Sequence, residues 1–199
     1  MTAENKFWEW FIAHQDALLN FEADQEHLFD QVAAALQKVD PNLCFEFGPK
    51  ESEREFVISA GGIKDSFPSV IALKNTAPVL PGWRITAFRP RHPPIRIIEF
   101  QGKHVDPGDV QFTLLDNGKI AGLYLFLPDF QEGDLALKQI GYLLLDEALG
   151  EYDVETRLGL IQMLPIEATK PGHRYPFAEL PSFFDKLVSQ LEGRSDKPS

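Results

Sequence analysis

A group of basic side chains in the middle of this acidic chain could bind an anion. The window from residue 84 to residue 104 carries a net charge of +4, so the other residues together carry −15 of the chain's total of −11. Guanidinium groups bind carboxylates and phosphates through paired N–H donors. We identify Arg89, Arg91, His92 and Arg96 as a candidate anion-binding patch, in which His92 is the side chain suited to proton transfer.

An acidic run follows about fifty residues later and could bind a basic partner. We expect a strand over Val154–Met163 that can begin as early as Glu151, which would place Glu151, Asp153 and Glu155 on one strand face. Carboxylates on one face could bind Mg²⁺, Ca²⁺ or an arginine-rich segment. No EF-hand spacing is present, and the alternative is a solvated strand edge with an arginine as ion-pair partner. We predict an interaction face and no metal site.

The two clusters also allow a purely structural interpretation. The arginines of the window could pair with Asp153 and Glu155 across the sheet, and the opposite charges would then neutralise each other within the fold. The sequence leaves both readings open. Either the clusters form the functional surface, or they hold the fold together.

Other motifs that would carry chemistry are absent or weak. Gly61-Gly62 precedes a helix, but neither the phosphate-binding nor the dinucleotide-binding glycine pattern is present. The five histidines lack the helical spacing of a zinc protease, and no nucleophile elbow occurs. The single cysteine, Cys44, excludes an internal disulfide and a zinc site built from several thiolates. We predict no cofactor and no catalytic residue.

Hydrophobic periodicity predicts the elements that carry these residues. It indicates two amphipathic helices at the N-terminus, a hairpin around the turn at residues 48–53, and a second hairpin at Asn117-Gly118. Further helices are expected over Gly133–Leu149 and about Ala178–Leu191. Short turns join the strands, which favours an α+β fold. We expect a single domain over residues 1–192, with a disordered tail over residues 193–199. Its mostly antiparallel β-sheet should carry the two N-terminal helices and two or three further helices packed on it.

Composition bounds the class of protein. The chain has 199 residues, of which 44% are hydrophobic, and this fraction is typical of a folded protein. Thirty acids against nineteen bases make it a poor binder of nucleic acid, since phosphates are repelled. No apolar run reaches the roughly 20 residues of a membrane helix. No signal-peptide pattern is present, and we expect a cytoplasmic protein without a membrane partner.

Three stretches together resemble a family of uncharacterised bacterial proteins, a domain of unknown function. They are residues 55–62 (EFVISAGG), residues 88–91 (FRPR) and residues 145–156 (LDEALGEYDVET). The resemblance extends over Trp8 to Leu164. It implies a bacterial cytosolic protein and carries no activity or catalytic residue with it.

The leading hypothesis is a non-catalytic binding protein with a protein partner, by analogy with small acidic immunity or antitoxin proteins. The alternative is a small enzyme or ligand-binding domain that uses the patch from Arg89 to Arg96 for an anionic small molecule. A homodimer could form through an edge strand or through the N-terminal aromatic residues. Trp8 and Trp10 cannot share a helix face, so we expect one of them to be exposed.

Overall fold

The computed structural model describes residues 1–195, and its contacts divide the chain after Arg89 into two compact units. Within the described residues there are six α helices and nine β strands in three sheets. The α+β class expected from the sequence is therefore confirmed, and four of the six strand pairings described are antiparallel. That residues 1–192 form a single domain stays a prediction.

The first unit consists of two helices, a hairpin and a crossover to a third strand. Its elements are α1 (Ala3–Leu19), α2 (Gln25–Leu36), β1 (Cys44–Lys50), β2 (Arg54–Ser59), α3 (Phe67–Asn75) and β3 (Trp83–Ala87). Helix α1 begins after Thr2, whose hydroxyl accepts a hydrogen bond from the Asn5 backbone N–H at 3.3 Å. Strand β2 lies in the middle of the sheet, antiparallel to β1 and parallel to β3.

Aromatic rings form the core of this first unit. Phe11 is fully buried, and its ring centroid lies 5.0 Å from that of Phe56 and 5.0 Å from that of Trp83. The buried Trp8 donates its indole N–H to the Leu73 carbonyl at 2.9 Å. Trp10 points to a different side of α1 and is half-buried, so neither of the two tryptophans is exposed as the sequence led us to expect.

In the second unit, as in the first, a hairpin is followed by a helical crossover to a strand that lies parallel to the hairpin's second strand. Its elements are β4 (Ile98–Phe100), β5 (Lys103–Val105), β6 (Gln111–Asp116), β7 (Ala121–Leu127), α4 (Leu135–Leu149), α5 (Glu151–Arg157), β8 (Leu158–Pro165), β9 (Tyr175–Pro176) and α6 (Leu180–Ser195). Strands β4 and β5 form a separate hairpin, and the larger sheet has the order β8-β7-β6-β9. The Asn117-Gly118 turn joins β6 to β7 as predicted, with Gly118 at a φ of 86°.

The strand predicted over Val154–Met163 is wrong in its first part. Gly150, at a φ of 82°, ends α4, and its carbonyl accepts a hydrogen bond from the Val154 N–H at 3.1 Å, which starts a new helix. Helix α5 then buries Glu151 and Val154, and β8 begins only at Leu158. The alternating acidic residues favour a strand, but burial of Glu151 and Val154 on one side of a helix stabilises the helical conformation more.

The last helix extends further than the sequence indicates. Helix α6 continues to Ser195, and it therefore includes the first three residues of the tail predicted from Gly193. The rest of that predicted tail, residues 196–199, lies outside the described residues. Among residues 1–195, no helix is both long enough and apolar enough to cross a membrane.

Candidate functional site

The guanidinium of Arg91 is surrounded by hydrogen-bond acceptors of the second unit. Nη2 donates to Asp153 Oδ2 at 3.0 Å and to Asp185 Oδ1 at 2.9 Å, and Nη1 donates to Asp185 Oδ2 at 3.0 Å. Nε donates to the Leu149 carbonyl at 2.9 Å. These contacts, those to Asp185 above all, raise the pKa of Arg91 above its ordinary value. The N–H donors of Arg91 are therefore bound by two aspartates and one backbone carbonyl of the protein itself.

Asp153 joins this arginine to a second one. Its Oδ1 lies 2.9 Å from Arg157 Nε, one turn further along α5, and Arg157 also pairs with Glu192 on α6. The Glu192 hydrogen bond is the main reason that the pKa of Arg157 is raised. The pairing of Arg91 with Asp153 is what the structural interpretation of the two clusters predicts. These five charged residues are called the ion-pair network below: Arg91, Asp153, Arg157, Asp185 and Glu192.

The acidic interaction face predicted from Glu151, Asp153 and Glu155 does not form. These residues lie on a helix, where positions two apart point about 200° apart, whereas a strand would have aligned them. Glu151 is fully buried, and Asp153 is engaged by two arginines. Glu151 and Glu155, four positions apart, share a helix face, but Glu151 is fully buried there and Asp153 points to another side. The set therefore offers a partner no continuous acidic surface.

The four residues of the predicted anion patch have separate surroundings. Arg89 belongs to the first unit and pairs there with Glu46 on β1. In the second unit Arg91 is held in the ion-pair network, while the side chains of His92 and Arg96 are exposed. The His92 backbone N–H donates to the Glu147 carbonyl at 2.9 Å. Carboxylates of the protein therefore already occupy two of the three guanidinium groups.

Residues 1–195 contain no group of three or more His, Cys, Asp or Glu side chains placed to hold a metal ion. His14, for example, uses its Nδ1 in a hydrogen bond of 2.7 Å with the Trp10 carbonyl oxygen and stacks on the Trp10 ring.

The sequence did not reveal the edge of the larger sheet as a candidate surface. Strand β8 is the last strand on its side and, among the described residues, pairs only with the parallel strand β7. The ladder shifts register at Gly159 and is regular from Leu160 to Pro165. No residue of β8 is charged. The strand therefore presents an uncharged row of backbone groups on its outer side.

A groove of about 370 Å³ runs along this edge. Five consecutive residues, Ile161–Pro165, line it, although successive side chains of a strand point to opposite faces. The groove must therefore follow the backbone edge, and its other wall includes Phe130, Glu132, Lys138 and Tyr142. Partial burial, and to a smaller extent the negative charge of Glu155, raises the pKa of the Tyr142 hydroxyl. The hydroxyl is therefore neutral at physiological pH and can donate a hydrogen bond.

The other sheet edges carry features that discourage strand addition. Strand β1 has Glu46, Pro49 and Lys50 and an irregular register, and β3 has Arg84. Strand β9 is only two residues long. Charges, prolines and short strands are the usual means of protecting an edge, and β8 lacks them between Leu160 and Leu164. The uncharged run 158–165 was visible in the sequence, but its position at an edge depends on the sheet order.

The chain matches no protein-family model, and it matches neither a curated protein nor a solved structure. The resemblance to a family of uncharacterised bacterial proteins therefore stays a prediction.

Proposed function

We propose that this protein is a non-catalytic, cytoplasmic binding protein whose strand β8 accepts an extended segment of a protein partner as an additional strand. The observation that carries the proposal is the uncharged edge of β8 with a groove along it. Masking of the partner, by analogy with small acidic immunity and antitoxin proteins, is the mode of action that we propose.

Backbone chemistry supports this use of β8. The N–H and C=O groups on the outer side of an edge strand can pair with another chain, and each hydrogen bond contributes about 0.5–1.5 kcal/mol. The bulge at Gly159 and the missing N–H of Pro165 limit the pairing to Leu160–Leu164. A partner segment of about five residues fits this length.

The chemistry of the groove supports an apolar, uncharged partner segment. Phe130, Met163 and Leu164 provide apolar walls, and the two charged lining residues, Glu132 and Lys138, have opposite signs. Leu160, on the same strand but outside the lining, is 48% exposed. Alternate side chains of an added strand would pack on these walls, and the others would face solvent. Since the chain carries −11, an acidic partner segment would be repelled at long range.

The alternative of an anion-binding enzyme has less support. Its best-placed guanidinium, that of Arg91, already binds two aspartates and a backbone carbonyl. An anionic substrate would have to displace these acceptors, at the cost of leaving two carboxylates without their arginine. We therefore keep the binding protein as the proposed function.

The test is selection of peptides from a random display library on the purified chain, followed by amide hydrogen exchange. We expect the selected peptides to be uncharged and rich in β-forming residues, and to protect amides within Leu160–Leu164. The variant Leu160→Lys should weaken binding at least tenfold. Ile71→Lys, which charges a comparably exposed residue on α3 (42% against 48%), should leave it unchanged.

Two results would overturn the proposal. One is selected peptides that bind Leu160→Lys as well as the parent, or that protect amides elsewhere. The other is a dimer of the free protein, seen by light scattering, that Leu160→Lys converts to a monomer. In that case a second copy of the chain occupies the edge.

A further inference from the structure

A second concave surface lies in the first unit, between α1 and the end of α2, and it is independent of the proposed function. Its volume is about 470 Å³, within the range of small-molecule sites. The lining residues are Ala3, Lys6, Phe7, Trp10, Ala35 and Lys38. None of these six residues is acidic, in a chain with thirty acidic side chains.

The floor of this cavity is aromatic and held in position. Phe7 is 2% exposed, and its ring centroid lies 6.1 Å from that of Trp10. His14 stacks on the Trp10 indole, with centroids 4.6 Å apart and ring planes 25° apart. His14 is itself fixed by its hydrogen bond to the Trp10 carbonyl. The half-buried indole is therefore pre-positioned, with part of its surface open to the cavity.

The charges at the cavity are both positive. Lys6 and Lys38 line it, and neither forms an ion pair within residues 1–195. Lys103, by contrast, pairs with Asp134. Two ammonium groups without carboxylate partners line the cavity beside an aromatic floor and can contact an anion directly. The exposed part of the Trp10 indole supplies the apolar contact for a flat ring.

We propose that this cavity binds a small planar aromatic molecule that carries an anionic group. The ring of the ligand lies against Trp10, which Phe7 supports from below, and its carboxylate or phosphate lies near Lys6 and Lys38. The apolar floor supplies most of the affinity, and the lysines select the anion over a neutral ring of the same shape.

The three tryptophans provide a built-in readout in a nitrogen–proton correlation spectrum. Naphthoate and naphthyl phosphate serve as anionic probes, which separate carboxylate from phosphate selectivity, and naphthamide is the neutral control. We expect a saturable shift of the Trp10 indole N–H signal. The Trp8 and Trp83 signals should stay in place because these side chains are 3% and 5% exposed.

Charge-neutral variants test the role of the lysines. Lys6→Gln and Lys38→Gln should each weaken binding of the preferred anionic probe about threefold, within the range of a surface charge contact, and leave naphthamide unaffected. Lys186→Gln, which neutralises an exposed lysine on α6, should change nothing. The proposal is overturned if millimolar anionic probe gives no saturable Trp10 shift, if naphthamide binds equally well, or if the Lys6 and Lys38 variants behave like Lys186→Gln.

Discussion

Arg54 and Trp83 occupy facing positions on β2 and β3, and each buries a nitrogen that has no hydrogen-bond partner among the described residues. Arg54 is 1% exposed and Trp83 is 5% exposed. Other atoms of the Arg54 guanidinium contact Glu22 Oε1 at 2.5 Å and the Phe21 ring, whose centroid lies 4.3 Å away. A buried N–H without an acceptor lowers stability, so a substitution that removes only such an N–H should cost less than one that removes a hydrogen-bonded donor.

The two buried tryptophans of the first unit allow a matched comparison. Trp8→Phe removes the donor of a hydrogen bond to the Leu73 carbonyl, whereas Trp83→Phe removes an N–H that has no acceptor. We expect Trp8→Phe to lower the free energy of unfolding by about 1 kcal/mol more than Trp83→Phe does. The difference is modest because Thr76 also donates to that carbonyl. Urea unfolding of both variants measures it, and equal losses would contradict the structure.

Acid should weaken the first unit through Glu22. The hydrogen bond from Arg54 holds the pKa of the Glu22 carboxyl below its ordinary value of 4.5. A lowered pKa contributes stability that is fully present above the ordinary value and is lost as the pH falls through the folded value. Glu22→Gln should therefore lower the Tm near neutral pH, and the difference from the parent should shrink below pH 4.5.

Thermal unfolding over a pH series measures this effect. Glu51→Gln is the control, because this substitution removes the same charge from an exposed side chain in the β1–β2 turn. Its Tm difference from the parent should be small at every pH. If Glu22→Gln and Glu51→Gln gave the same pH profile, the Arg54 contact would not stabilise the folded state.

The ion-pair network predicts unequal roles for its two aspartates. Asp153 lies between Arg91 and Arg157 and is 27% exposed, whereas Asp185 contacts Arg91 and is 57% exposed. Asp153→Asn should lower the free energy of unfolding by about 1–2 kcal/mol, and Asp185→Asn by less than about 1 kcal/mol. Chemical denaturation at low and high salt measures both losses, and a larger loss for Asp185→Asn would refute this ranking.

Glycine is required at position 172 for two separable reasons. Gly172 has a φ of 105°, and a Cβ there would lie 2.6 Å from Thr113 Cγ2 on β6. Gly172→Ala should lower the free energy of unfolding by about 2–4 kcal/mol, through backbone strain and a steric clash. Gly102→Ala, at a φ of 76° in open space, should show the strain alone, about 1 kcal/mol. Calorimetry measures the loss of unfolding free energy in both variants, and the difference between the two losses gives the contribution of the clash.

Local signals in the sequence were sufficient for several elements. The Asn117-Gly118 hairpin and the two N-terminal helices depend on neighbours in the chain, and the structure confirms them. The stripe predicted for the first helix, which contained Ala13 and Ala17, is wrong, because α1 buries Phe7, Trp8, Phe11 and Leu18 instead. Helix α5 was missed because alternating acids suggest a strand, while burial of Glu151 and Val154 decides the conformation. That burial depends on packing that no local pattern contains.

The site depends on relationships that are even less local. Arg91 and Asp185 are 94 residues apart in the sequence, so no local spacing pattern could predict that they pair. The edge position of β8 follows from a crossover through α4 and α5 back to β7. An uncharged run of eight residues is equally typical of a central strand. Only the strand order identifies it as an edge.

The crossover between β7 and β8 also has a consequence for synthesis of the chain on the ribosome. The β6–β7 hairpin is complete at Leu127, but its parallel neighbour starts at Leu158. Until α4 and α5 have been made, the side of β7 that will pair with β8 has no partner strand. Non-local parallel pairing forms slowly because a long loop must close first. A nascent chain that stops within α4 should therefore aggregate more readily than one that stops after Pro165.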